Sequence, residues 1–160
     1  MKRIIVFGNS ASGKSTLAKK LSLIHSLRHL DLDTLAWQEN TSLPIRRDLK
    51  DSFELIDTFI KSNDEWVIEG CYGDLLGLIK DQANEAYFLD LPVALCVENA
   101  KKRPWEPHKY DSKQAQDANL SMLIDWIKAY DTRDDSFSNQ AHQALYDDFT
   151  GEKNRLVSHA

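Results

Sequence analysis

Gly8-Asn9-Ser10-Ala11-Ser12-Gly13-Lys14-Ser15, reading GNSASGKS, follows directly on the apolar run Ile4-Ile5-Val6-Phe7. The spacing fits G-x-x-x-x-G-K-[ST], with a strand pattern before it and a helical pattern after it. A glycine-rich turn of this kind aims successive backbone N–H groups into one concavity at a helix N-terminus, where an anion can sit. In this pattern Lys14 reaches the β- and γ-phosphates of a nucleotide as a point charge, and the Ser15 hydroxyl sits on Mg²⁺. The residues expected to hold ATP are therefore Gly8, Asn9, Ser10, Ala11, Ser12, Gly13, Lys14, Ser15 and Thr16. A flexible glycine loop before an ordinary helix is the competing reading, and the strand–turn–helix context argues against it.

The chain has 160 residues, a length that suits one domain spanning 1–160. Hydrophobic residues make up 42% and charged residues 28%, as in ordinary globular proteins. A formal charge of −5 argues against direct nucleic-acid binding, which needs a basic face. No apolar run approaches the roughly 18 residues of a membrane span, so no membrane partner is expected. The N-terminus enters a strand with no signal-peptide pattern, and a cytoplasmic location is the expectation. Cys71 and Cys96 are too few and too far apart for a disulfide framework or a zinc site. Cys96 reads as a small buried hydrophobe.

Working outward, residues 3–7 read as a continuous apolar strand of the parallel-sheet kind. Leu17, Leu21 and Ile24 then recur at helical spacing. A second strand is expected around Arg28–Leu32, a helix over about 46–62, a third strand at Trp66-Val67-Ile68 and a fourth at Ala86-Tyr87-Phe88-Leu89. Pro92 suits the first position of a helix running to about Lys101. Residues 102–112 read as a loop. Leu123, Trp126, Ile127 and Tyr130 stripe the next helix, and Phe137, Ala141, Leu145 and Phe149 the last. Gly151 breaks it, and Arg155-Leu156-Val157 reads as a final strand. Alternating strands and helices predict a three-layer α/β/α fold around a parallel sheet.

Ligands in such sheets sit at the carboxyl ends of the strands. Three predicted strands end in acids there: Asp31-Leu32-Asp33, Glu69-Gly70 and Asp90-Leu91-Pro92. An acceptor hydroxyl wants a carboxylate to take its proton. Asp33 is the first choice, with D-x-D spacing in an extended chain turning Asp31 and Asp33 to one face; an N-cap for a turn through Thr34–Trp37 is the plain alternative. Glu69 and Asp90 compete to orient the metal through water, with Glu69 preferred because Gly70 permits close backbone approach. Arg103 and Arg133 are candidates to stabilise charge on the transferred phosphoryl group. Helix-dipole complementarity at Lys101-Lys102-Arg103 and a surface ion pair at Arg133 are the competing readings. Trp37, Tyr72, Trp105 and His108 are candidates to line an acceptor pocket, although His108, between Pro107 and Lys109 with no partner in sight, reads first as an exposed histidine.

The segments GNSASGKSTLAKKL at 8–21, LDTLAW at 32–37, WVIEGCY at 66–72 and YFLDLP at 87–92 together resemble the bacterial topology modulation protein group, small adenylate-kinase-like P-loop proteins. The resemblance implies a P-loop NTPase fold, a five-stranded sheet in the order 2-3-1-4-5, a lid after the fourth strand at about 102–112, and a carboxylate at Asp33. The family typically has Asp where this chain has Glu69, and an arginine-rich lid where this chain keeps Arg103 with lysines. The Asp-Gly-x-Pro-Arg element of adenylate kinases, the triple-glycine loop of shikimate kinases, the [NT]-K-x-D element of GTPases and the L-S-G-G-Q element of transport ATPases are all missing.

Two function classes follow. The leading one is an ATP- and Mg²⁺-dependent kinase moving the γ-phosphoryl group to a nucleotide or other small hydroxyl-bearing acceptor near Asp33, Trp37, Gly70 and Tyr72. Lys14, Asp33, Arg103 and Arg133 would carry the chemistry. The alternative is a nucleotide-binding regulatory protein with only slow ATPase activity.

Overall fold

The computed structural model describes residues 1–158; residues 159 and 160, the end of the expected 1–160 span, lie outside the described residues. In chain order the elements are β1 (Arg3–Gly8), α1 (Lys14–His25), β2 (Arg28–Asp31), α2 (Leu49–Ser62), β3 (Trp66–Gly70), α3 (Gly73–Ile79), β4 (Glu85–Leu89), α4 (Val93–Lys102), α5 (Lys113–Lys128), α6 (Asn139–Asp148) and β5 (Glu152–Leu156). The five strands form one sheet in the order β2-β3-β1-β4-β5, every neighbouring pair parallel. This is the three-layer α/β arrangement and the 2-3-1-4-5 order expected. Among the described residues no helix is long and apolar enough to cross a membrane.

The central position of β1 follows from its sequence. Ile4, Ile5, Val6 and Phe7 are all fully buried, and alternation sends them to opposite faces. Ile5 and Phe7 join Trp66, Ile68, Phe88 and Leu75 in the core under α2, α3 and α6. Ile4 and Val6 join Val67, Leu17, Leu21, Cys96 and Ile127 in the core under α1, α4 and α5. Cys96 is thus the buried apolar residue expected.

The register brings the functional ends level. Asp31 lies opposite Glu69, Val6 opposite Glu69, and Gly8 opposite Leu89. The carboxyl ends of β1 to β4 therefore open onto one edge.

Several boundaries differ from the sequence reading. The helix expected from 46 begins at Leu49, because residues 45–47 pair back on 36–38 instead. Gln38 N donates to Ile45 O at 2.8 Å and Arg47 N to Ala36 O at 2.9 Å. Pro92 stands one place before α4, with ψ 141° and so not yet helical. Tyr130, Phe137 and Phe149 flank their helices rather than lie within them. The short α3 was not anticipated; its Leu75, Leu76 and Ile79 are fully buried. The last strand starts at Glu152, earlier than expected. Its charged, half-exposed sequence EKNRL is what an edge strand carries, and it hides the strand period.

Candidate functional site

The turn after β1 is shaped by backbone. Gly8 has φ 154°, and a Cβ there would stand 2.5 Å from the Leu89 carbonyl oxygen of β4, so no side chain fits. Gly13 has φ 95°, the left-handed region that glycine enters without strain. Side chains then pin the turn from outside it. The Asn9 amide accepts from Ser10 N at 2.8 Å and donates to Ile127 O at 3.3 Å, while Asn99 of α4 donates to Ala11 O at 2.9 Å. The Lys14 ammonium folds back over the loop and donates to Asn9 O at 2.7 Å. The first N–H groups of α1, on Lys14, Ser15 and Thr16, have no acceptor within their own helix. They carry the positive pole of α1, and no acid sits in that first turn to neutralise it. Amides, an ammonium and a left-handed glycine fit a polyphosphate.

Beside Lys14 lies an oxygen pair. Ser15 Oγ donates to Glu69 Oε1 at 2.7 Å, and Glu69 Oε2 meets His29 Nε2 at 2.6 Å. Glu69 is only 2% exposed. Asp90, its sequence rival, is tied elsewhere: Arg155 of β5 pairs with Oδ2 and Asn139 donates to Oδ1 at 3.3 Å. Magnesium is held by one or two carboxylates together with substrate phosphates and water, and hydroxyl and carboxylate oxygens are the ligands it takes. The Ser15–Glu69 pair fits that requirement.

A second group of side chains converges beyond β2. The expectation of an extended Asp31–Asp33 segment is corrected here. The strand stops at Asp31 and the chain turns through a single 3-10 turn, Leu32–Thr34. Asp31 is the residue that caps this turn, accepting from Asp33 N at 2.9 Å and, through its carbonyl, from Thr34 Oγ1 at 2.6 Å. Asp33 is freed from capping and held by others. Tyr72 OH donates to its Oδ1 at 2.5 Å, and Lys109 Nζ lies 2.8 Å from its Oδ2. Trp37 Nε1 donates in turn to Tyr72 OH at 2.9 Å.

These contacts set the ionisation of the group. Burial pushes the Asp33 carboxyl upward, but the charge and hydrogen bond of Lys109, with Tyr72 and Lys14, bring it below its ordinary value. Burial pulls Lys109 down, yet Asp33 holds it well above the usual lysine range. Asp31 is raised, first by burial and then by the charges of Asp33 and Glu69.

Both groups face one open cleft of ≈ 1420 Å³. Its lining includes residues 10–16, Asp31, Asp33, Trp37, Glu69, Gly70, Tyr72, Arg103, Trp105, His108 and Lys109. Gly70 serves packing as much as access: a Cβ there would meet Leu32 and Tyr72 side chains at 3.0 Å. Arg103 pairs with Glu106 at 3.2 Å. Arg133 is not drawn in. Its guanidinium stacks 3.5 Å from the Trp126 ring centroid and pairs with Asp135 at 3.5 Å.

Three residues absent from the sequence reading matter to this geometry. Lys109 reaches Asp33 across 76 positions of chain, and nothing in the sequence signals the contact. His29 shares a strand face with Asp31 at a spacing of two, and Asp31 pairs with Glu69; strand register would have linked them. His142, fully buried, takes a hydrogen bond from Tyr130 OH on Nδ1 and donates from Nε2 to Cys71 O, each at 2.8 Å.

No protein-family model matches the chain. Over 138 residues it is 25% identical to the uncharacterized protein YqaC of Bacillus subtilis, covering 81% of this chain and 73% of that protein. Among solved structures, a sugar kinase from Janibacter sp. has a TM-score of 0.50 at 17% identity, covering 80% of this chain and 95% of that one. A shikimate kinase from Aquifex aeolicus has a TM-score of 0.47 at 22% identity, over 79% of this chain and 91% of its own. An uncharacterized protein from Eubacterium ventriosum has a TM-score of 0.47 at 17% identity, over 99% and 92%. At such identities the likeness is one of fold. The fold shared is a five-stranded parallel sheet of order 2-3-1-4-5 flanked by helices.

Proposed function

We propose that this protein is an ATP-dependent phosphotransferase acting on a small hydroxyl-bearing acceptor, of the kind its resemblance to the topology modulation group also implies. The observation that carries the reading is the shared cleft: Lys14, Ser15 and Glu69 face the same space as the Asp33 carboxylate. A cleft of ≈ 1420 Å³ exceeds the several hundred cubic ångströms of an ordinary one-ligand pocket, so there is room for donor and acceptor together.

Residues 8–16 bind and orient the polyphosphate through amides, and Lys14 offsets negative charge on it. Bound magnesium, held by Ser15 and by Glu69 through water, would neutralise charge on the β- and γ-oxygens. Asp33 orients the acceptor hydroxyl and takes its proton as the oxygen bonds to the γ-phosphorus. The bond to the bridging oxygen breaks, ADP leaves with its electron pair, and Asp33 returns its proton to solvent. Residues 103–112 connect α4 and α5 over the cleft and serve as the lid that excludes water, bringing Arg103 toward the phosphates. Lys109 holds Asp33 below its ordinary pKa, so the carboxylate is ionised before the acceptor hydroxyl arrives.

The test is acceptor-stimulated ADP formation with Lys14→Ala as control. Lys14→Ala is expected to cut turnover by about 10²-fold or more, the scale of losing one preorganised charge-stabilising contact. Unchanged ATP affinity and turnover in that variant, by calorimetry and ADP release, would sink the reading. A switch protein would instead give ADP release that no small hydroxyl compound accelerates.

A further inference from the structure

The acceptor end of the cleft has a charge inventory that limits what it can receive, and this inference rests on the phosphotransferase reading. The segments that assemble Asp33, Trp37 and Tyr72 carry few basic side chains, and each is either paired or set at the far end of its strand. Arg28 stands at the opposite end of β2, and His29 is bonded to Glu69. Arg47 donates to Leu35 O at 2.7 Å and to Trp37 O at 3.3 Å. Arg46 pairs with Asp74 at 3.3 Å, and its guanidinium lies within 6 Å of three ring centroids, those of Tyr72, Phe137 and Trp37 (4.9, 5.3 and 5.9 Å). Those three rings form the cleft wall at this point. Lys109 is bound to Asp33 and stands 3.6 Å from Glu106.

The other cleft-facing cations belong to the phosphate loop's surroundings. Lys14, Lys19 and Lys20 lie on α1, and Lys102 follows Asn99 of α4, which is bonded to the loop itself; Arg103 is paired with Glu106 at 3.2 Å. At the acceptor end Lys109 and Arg103 are already paired with Asp33 and Glu106, His108 stands 3.8 Å from Glu106, and the rest of the wall is carboxylate and rings. Asp31, Asp33 and Glu106 line it, so a phosphate or carboxylate placed there must take Lys109 or Arg103 from its carboxylate partner and then meets like charge beside it. Hydroxyl groups are donors to those carboxylates. Trp37 has its one N–H committed to Tyr72, so its half-exposed ring offers an apolar face.

We propose that the acceptor is an uncharged polyol of the monosaccharide type, seated against the Trp37 ring, its reacting hydroxyl at Asp33 and a neighbouring hydroxyl at Asp31. Acceptors bearing phosphate or carboxylate are disfavoured at this end. The transfer is the one already written: the hydroxyl proton goes to Asp33, the oxygen–phosphorus bond forms, and ADP departs.

The experiment uses the full chain with Mg-ATP and paired acceptors of one skeleton: glucose beside glucuronate and glucose 6-phosphate, ribose beside ribose 5-phosphate, and myo-inositol. Coupled ADP release and phosphorus NMR of the product ester are read. At least one neutral member is expected to exceed its charged counterparts tenfold or more in kcat/KM. Trp37→Ala is expected to raise the KM of that neutral acceptor about tenfold while leaving the KM for ATP in place; Trp37→Phe, which keeps a ring, should recover most of the loss. A charged counterpart preferred over its neutral partner overturns the proposal, and loss of that preference in Arg46→Met would put the anion at Arg46. No acceleration by any neutral polyol, with ATP still bound by wild type and lost in Lys14→Ala, overturns the proposal alone. ATP bound equally by wild type and Lys14→Ala overturns the phosphotransferase reading beneath it.

Discussion

The two ends of the cleft are built from different materials. The end proposed to hold phosphate is made of main chain: eight consecutive residues, two glycines in unusual backbone regions and the free amides of one helix. The end proposed for the acceptor is made of side chains from remote places: Asp33 after β2, Trp37, Tyr72 after β3, and Lys109 between α4 and α5. A backbone cradle tolerates changes around it but not changes in its own dihedrals. A side-chain cluster behaves the other way: its backbone can shift while one altered functional group abolishes its purpose. Variants at the two ends should therefore fail differently.

The largest effect is expected from Asp33→Asn. The amide cannot take a proton, and acceptor-dependent kcat should fall by about 10²–10⁴-fold, the range general-base catalysis covers. ATP affinity, measured by calorimetry, should stay close to wild type. A parallel loss of ATP affinity would place Asp33 with the metal and erase the distinction between the ends. Gly8→Ala tests the opposite end. Its Cβ would stand 2.5 Å from Leu89 O, and φ 154° strains any L side chain. A cost of about 1–3 kcal/mol is expected for such a residue held in a sparsely populated region. Thermal midpoint and ATP affinity should drop together, while the pH profile of any residual acceptor turnover keeps its shape.

Lys109→Met comes next. In the wild type Asp33 sits below its ordinary value of about 3.9, so the acid limb of acceptor-dependent kcat/KM should lie below that pH. Removing the ammonium leaves burial, the largest influence on Asp33 and an upward one, much less opposed. The limb should therefore move up. The folding sign agrees: a depressed carboxyl contributes stability above the unfolded pKa and loses it as pH falls through the folded one. An acid limb that stays in place would mean that Lys109 does not govern Asp33.

The same contrast decides what could be read from sequence. A loop of contiguous residues is visible in one dimension, and the apolar strand Ile4–Phe7 with the periodic Leu17 and Leu21 fixed the layers around it. The ends of β2 and β3 were visible as acids after apolar runs. What stayed hidden depends on pairing across the fold. The 3-10 turn at Leu32–Thr34 replaced the extended D-x-D because Asp31 could cap it locally. The start of α2 moved because Arg46 and Arg47 pair back on residues 36 and 37. Seven-residue α3 was too short to display a helical period. Lys109, without an apolar pattern or a partner nearby in the chain, carried no signal at all.

The smallest effect lies under the acceptor end. His142 of α6 is fully buried, and burial pulls its pKa from the ordinary 6.5 to about 4. In the fold it is neutral, with Nε2 donating to Cys71 O just before Tyr72 and Nδ1 receiving the Tyr130 hydroxyl. Unfolded, it protonates near pH 6.5. A depressed folded pKa means that the unfolded state binds the extra proton first, so stability is complete above pH 6.5 and declines as pH falls toward 4. Between pH 7 and pH 5.5 this single group should cost about 1 kcal/mol of unfolding free energy. Urea titrations at the two pH values measure it directly, and His142→Gln, which retains an amide donor but does not titrate, should flatten the dependence. Because the hydrogen bond ends on Cys71, the position of Tyr72 should respond before the phosphate loop does. ATP affinity at pH 5.5 is therefore expected to outlast acceptor affinity, and an equal decline of both would mean that His142 supports the whole sheet rather than one end of it.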